Sequence, residues 1–171
     1  MPVTEARPVS ERIADAILQR LLLLTAGYSD QFVASGVERP LRNDAGTPAH
    51  LRIVLTQDSP ERIEDLDCPG NPPANCYATR YNIRCYVMPS ENDTTPVEEY
   101  CNLMAGEVVR VVCDDDMIDD GTQWHTMGGM AVNAEWQAHE NIDADGSYDG
   151  VNVPLHVTYR VSETNPFEVR A

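Results

Sequence analysis

Runs that alternate apolar and polar residues with a period of two constrain this chain more than any other feature. In "HLRIVLTQ" (50–57), Leu51, Ile53 and Leu55 alternate with Arg52, Val54 and Thr56. In "YATRYNIRCYVMPS" (77–90), Tyr81, Ile83, Cys85 and Val87 alternate with polar or aromatic neighbours. Successive side chains of a strand point to opposite faces, so this pattern predicts strands with one face buried. The two would pair as a hairpin. Two further strands are expected, one within "WHTMGGMAVNAEWQAH" (124–139) and one over "VNVPLHVTYRV" (151–161).

The cover for such a sheet comes from two segments of helical period. Ser10 stands as a capping hydroxyl before "ERIADAILQRLLLL", with Glu11 in the first turn, an apolar stripe through Ile13, Ile17, Leu21 and Leu24, and Gly27 to end it. Thr95, Pro96 and Glu98 form a capping-box start to a second helix near 96–113, whose stripe runs through Val97, Tyr100 or Cys101, Met104, Val108 and Val111 or Val112. The acidic "DDDMIDD" (114–120) is expected outside this helix, because aspartate at a helix C-terminus opposes the dipole. The element order predicts an α+β fold, a single mixed or antiparallel sheet of about four strands with both helices on one face. At 171 residues the chain is the size of one domain. Residues 58–76, with four prolines, read as a long loop, and 162–171 as a flexible C-terminal tail.

Twelve Lys and Arg against 28 Asp and Glu give a formal charge of −16. That balance opposes binding to phosphate backbones and anionic membrane surfaces. The longest apolar run, "LLLLTA" (21–26), lies in an amphipathic segment and falls short of a membrane span. A soluble, cytosolically made protein is the expectation. Cys68, Cys76, Cys85, Cys101 and Cys113 are odd in number and scattered, which points to thiols and not to a secreted disulfide framework.

Each stretch that suggests chemistry also has a plainer reading. "ENIDADGSYDG" (140–150) resembles the start of a calcium loop, yet with Asp143 at position 1 the obligatory glycine is Tyr148 and the closing glutamate is Pro154. It reads as a polar turn. Cys68 and Cys76 are too far apart for a zinc knuckle and lack a second half-site. His125 and His139 flank the third strand, and His50 and His156 lie in or beside strands, all without a nucleophile or metal motif beside them. Gly128 and Gly129 lack the Lys and Ser or Thr of a phosphate loop and suggest a bend or bulge in a strand. Neither an enzyme nor a cofactor is expected. The enzymatic alternative is a small metal-dependent acidic site on Asp114, Asp115, Asp116 and Asp143.

The element order, "VERP" (37–40) after the first helix, "GNPPA" (70–74) before the long strand, and the closing "VPLHVTYRVSETNPFEV" together resemble the tail-completion, tail-terminator or neck proteins of long-tailed bacteriophages. In that family a last strand ending in a Tyr-Arg pair precedes an acidic turn and an Asn-Pro or Asp-Pro. Tyr159, Arg160, Glu163, Asn165 and Pro166 fill those places here. The resemblance implies a structural virion subunit forming a homo-oligomeric ring, usually of six, at the head-proximal end of the tail tube. Its partners would be the tube protein and neck or head-completion proteins, with DNA only passing through the lumen. A head-tail connector or head-closure protein is the neighbouring alternative. The longer 58–76 loop and the strong acidity depart from the smaller members. Candidate lumen residues are Asp114, Asp115, Asp116, Asp119, Asp120, Asp143, Asp145 and Asp149. Candidate interface residues are Pro69, Asn71, Pro72, Pro73, Tyr159, Arg160, Asn165, Pro166 and Phe167.

Overall fold

A computed structural model of the protein describes residues 7–40, 52–70, 73–87, 94–118, 123–142 and 149–170. Its spine is a pair of fourteen-residue strands, β4 (Ala74–Val87) and β7 (Asp149–Ser162), antiparallel over their whole length from Ala74↔Ser162 to Val87↔Asp149. Beside β4 lie β2 (Arg52–Gln57) and the two-residue β3 (Glu61–Arg62), and β1 (Gly36–Glu38) adds to β2 in parallel. Beside β7 lie β5 (Asn133–Trp136), β6 (Glu140–Ile142) and β8 (Asn165–Val169).

The fold is therefore α+β with a mixed sheet, but of eight strands and not about four. The expected antiparallel pairing of the first two long runs is present as β2 with β4. The additional strands are two to five residues long, too short to show alternation in the sequence. Two stretches read as irregular hold some of them. The loop at 58–76 contains β3, a 3-10 turn at Glu64–Leu66 and a bridge between Cys68 and Ala74, and β4 already begins at Ala74. The segment read as a flexible tail carries β8, which folds back on β7 through the turn at Glu163–Thr164.

Both helices cover the same face. In α1 (Val9–Leu21) the side chains of Val9, Ile13, Ile17 and Leu21 are fully buried, and a 3-10 turn over Leu22–Thr25 extends the stripe to Leu24. In α2 (Val97–Cys113) Cys101, Met104, Val108, Val111 and Val112 are buried. They meet Ile53, Leu55, Tyr81, Ile83, Cys85, Val151, Val153, Leu155 and Val157, which the register places on one side of the pleat. Each such side chain contributes about 1.5–3 kcal/mol on removal from water. Phe32 meets Tyr100 edge-on at 5.1 Å and closes the core near the end of α1.

The helix starts differ from the expected caps. Prolines occupy both N-caps, Pro8 and Pro96, and neither cap makes a side-chain hydrogen bond. Ser10 is already helical, and its carbonyl accepts a 2.7 Å hydrogen bond from Tyr81 Oη, tying the first turn to the sheet. Gly128 and Gly129 precede β5 in a turn, with φ of 70° and 84°, instead of bending a strand. Left-handed backbone there explains the glycines directly.

Candidate functional site

Three surfaces stand out on this frame, and the first two gather residues singled out in the sequence. The first is a groove of about 360 Å³ at one end of the spine, where the start of α1 meets β4, β7 and β8. Pro8, Pro60 and Pro166 line it together with Tyr77 and Tyr159, whose rings stack at 6.1 Å. Tyr159 Oη lies 3.1 Å from Thr79 Oγ1, and burial raises the Tyr159 pKa. The groove brings together two of the predicted interface residues, Tyr159 and Pro166. Pro73 lies next to its rim, because its carbonyl accepts from Glu163 N at 3.1 Å.

The pleat separates the Tyr-Arg pair. Tyr159 is buried on the helix side, whereas Arg160 points the other way and donates from Nε to the Leu66 carbonyl at 3.3 Å. Asn165 and Pro166 are exposed on β8, and Phe167 is 40% exposed. Asn165 Oδ1 accepts from Phe167 N, so this asparagine shapes the strand start. Pro69 is exposed in the 58–76 segment. Asn71 and Pro72 lie outside the described residues.

The second surface is the acidic turn after α2, and much of its charge is already used inside the molecule. Asp114 caps the end of α2 in extended conformation and accepts from Tyr28 Oη at 2.7 Å. Desolvation, then Asp114, pushes the Tyr28 pKa up to about 12. Asp115 Oδ1 pairs with Arg20 Nη2 at 3.0 Å and accepts from Trp124 N at 2.9 Å. Arg20 is 2% exposed, and its other terminal nitrogen donates to the Val112 carbonyl at 2.7 Å, a good place for a cation because α2 ends there. Asp116 keeps an exposed carboxylate with no ion pair among the described residues. Asp119, Asp120, Asp143 and Asp145 lie outside the described residues, as do His50 and the side chain of Asp149.

An aromatic cluster lies beside this turn. Trp124 and Trp136 stack at 6.2 Å, and Trp136 Nε1 donates to Cys113 Sγ at 3.2 Å. His125 sits edge-on to Trp124 and is exposed, and His139 bonds Asn102 on α2. Among the described residues no three His, Cys, Asp or Glu side chains come close enough to hold a metal ion. No described helix is long and apolar enough to cross a membrane.

The third surface is the sheet face away from the helices. In register, Val54, Arg84, Asn152 and Glu140 form one row across four strands, and Thr56, Asn82 and Pro154 the next. Asn152 Nδ2 donates to Asn82 Oδ1 at 3.1 Å, and Asn82 Nδ2 donates to Asp58 at 3.0 Å, a side-chain ladder across the spine. Arg80 reaches both oxygens of Glu140 at 3.4 Å. Arg84 and Arg20 escaped the sequence reading. Arg84 carries a signal in hindsight, since Arg80, Asn82 and Arg84 share one parity of the strand while Tyr81, Ile83, Cys85 and Val87 on the other are apolar or aromatic.

A scan against protein-family models matches none, and a search of curated proteins returns no significant match. The site must therefore be read from its own geometry and from the residue pattern of the chain.

Proposed function

We propose that this protein is a structural subunit of a tailed-phage virion that assembles as a ring at the head-proximal end of the tail tube and joins tail to head. The observation that supports it most is the one-sided build. Both helices cover one sheet face, leaving the opposite face without helical cover, and short strands stand at both sheet edges. Different surfaces on one subunit make heterologous contacts, which close as rings when the rotation permits. The tyrosine- and proline-lined groove, which holds Tyr159 and Pro166, supplies a second distinctive contact surface at one end of the spine.

Charge supports the same reading. A subunit at −16 would repel the phosphates of DNA moving through a ring instead of holding them. Asp116 is the described lumen candidate with a free carboxylate, while Asp114 and Asp115 first serve the fold. The deciding experiment is mass measurement and negative-stain imaging at moderate salt, with and without purified tail tubes. Rings of one size that cap one tube end are expected. Rings that bind a portal and ignore tubes would move the protein to the connector level of the neck. A monomer that ignores both refutes the proposal.

A further inference from the structure

We propose that the helix-free sheet face around Arg84 is the docking surface for the acidic segment Glu61–Asp65 of a second copy of this chain. The inference rests on the ring reading and names the contact that would build the ring.

All twelve cationic side chains are arginines, and eight of the described ones already hold a carboxylate of their own chain. Of the remaining three described arginines, Arg12 donates to the Phe167 carbonyl and Arg160 to the Leu66 carbonyl. Arg84 does neither. It is exposed on a central strand, in register between Val54 at 8% and Asn152 at 7% exposure, with these two short, buried side chains as its floor across the sheet. A planar fork of donors in that setting is built to take a carboxylate in two parallel hydrogen bonds.

The matching anion lies on the same molecule but out of its own reach. Glu61, Glu64 and Asp65 are exposed on β3 and the 3-10 turn after it, and the one cation among them, Arg62, is held by Asp67 at 2.8 Å. Three carboxylates there have no cation of their own. Glu61 pairs in register with Ala78, and Arg84 lies six residues further along β4. At about 3.3 Å per residue, that is roughly 20 Å, well beyond a glutamate side chain. Asp114 and Asp115 offer a poorer anion, because Tyr28 and Arg20 occupy them. Donor and acceptor patches that differ and cannot meet within one copy define a directional contact, head to tail.

The test is a charge swap read by sedimentation velocity in about 0.1 M salt, where exposed charges act over about 10 Å. Four proteins are compared with wild type: R84E, R84Q, E64R/D65R and the triple variant R84E/E64R/D65R. R110E, the same charge change on the helix layer, is the control. We expect R84E and E64R/D65R each to weaken assembly at least tenfold, R84Q less, the triple variant to recover it, and R110E to assemble as wild type. All positions are exposed, and matching melting curves show that each variant folds. Assembly unchanged in R84E, or no recovery in the triple variant, overturns this docking surface while leaving a ring intact. A wild type that forms no oligomer overturns the ring reading itself.

Discussion

Removing the Asp115 carboxylate should destabilise the fold by about 3 kcal/mol, although this residue sits in what looks from sequence like a solvated acidic run. Its partner Arg20 has a side chain only 3% exposed, and Asp115 pairs with it at 3.0 Å. Removing one partner of a buried charge costs about 3–5 kcal/mol, and the 38% exposure of the Asp115 side chain places the effect at the low end, because water screens the pair. Of that total about 1 kcal/mol is the acceptor lost to Trp124 N, so D115N, which keeps an acceptor there, should cost about 2 kcal/mol. Replacing Arg20 by methionine removes the buried charge itself, so R20M/D115A should be more stable than D115A alone. Urea unfolding followed by tryptophan fluorescence suits the question, since Trp124 and Trp136 stack beside this contact. At about 2–4 °C per kcal/mol for a chain of this size, D115A should also melt roughly 6–12 °C lower. A D115A midpoint equal to wild type, or a double variant whose loss is the sum of the singles, would refute the reasoning.

Further outcomes follow from the same geometry. Burial pushes the Cys85 thiol up to about 12 and raises Cys76 and Cys113 as well, so a thiol-specific reagent at pH 8 should leave Cys85 untouched until the protein unfolds. Tyr28 is neutral in the fold with a pKa raised from 10.0 to about 12, so its contribution is full below pH 10 and is lost as pH rises toward 12; Tyr28→Phe should flatten that alkaline loss in pH-dependent melting. Hydrogen bonding by Arg39 lowers the Glu11 pKa, so its contribution is present above about pH 4.5 and is lost as pH falls below it; Arg39→Met should shrink that acid dependence. Ile17→Ala, at a fully buried position on α1, should cost about 2–5 kcal/mol in urea unfolding.

The parts of the fold that could be read from sequence are those where burial imposes a period. Ile13 to Leu24, Met104 to Val112 and the odd-numbered residues of β4 and β7 carry such patterns over many residues. What escaped has no period to show. A two-residue strand such as β3 exists because β4 offers it a free edge, and Glu61 and Arg62 have no strand preference of their own. The caps were misplaced by one or two residues because prolines with extended backbone stand where hydroxyls were expected to bond. The candidate site divides along similar lines. Tyr159 and Pro166 were legible as a motif and share one groove. Arg20 looks in sequence like a polar position on an amphipathic helix, and its burial depends on Asp115, ninety-odd residues away. Whether an aspartate is surface charge or internal counter-ion is decided by such distant partners, which local spacing does not encode.

The long β4–β7 ladder also sets a timetable for this protein. Its pairs join residues roughly sixty to ninety positions apart, so every rung requires closing a large loop that contains α2. Chains dominated by such distant pairings fold slowly compared with those built from local contacts. During synthesis β4 emerges well before β7, and in that interval its apolar side lacks the neighbour that completes the sheet. The floor beneath Arg84 is shared between β4 and β7, so it does not exist until the later strand has left the ribosome. On the docking proposed above, that contact therefore cannot form until each chain has closed its own ladder.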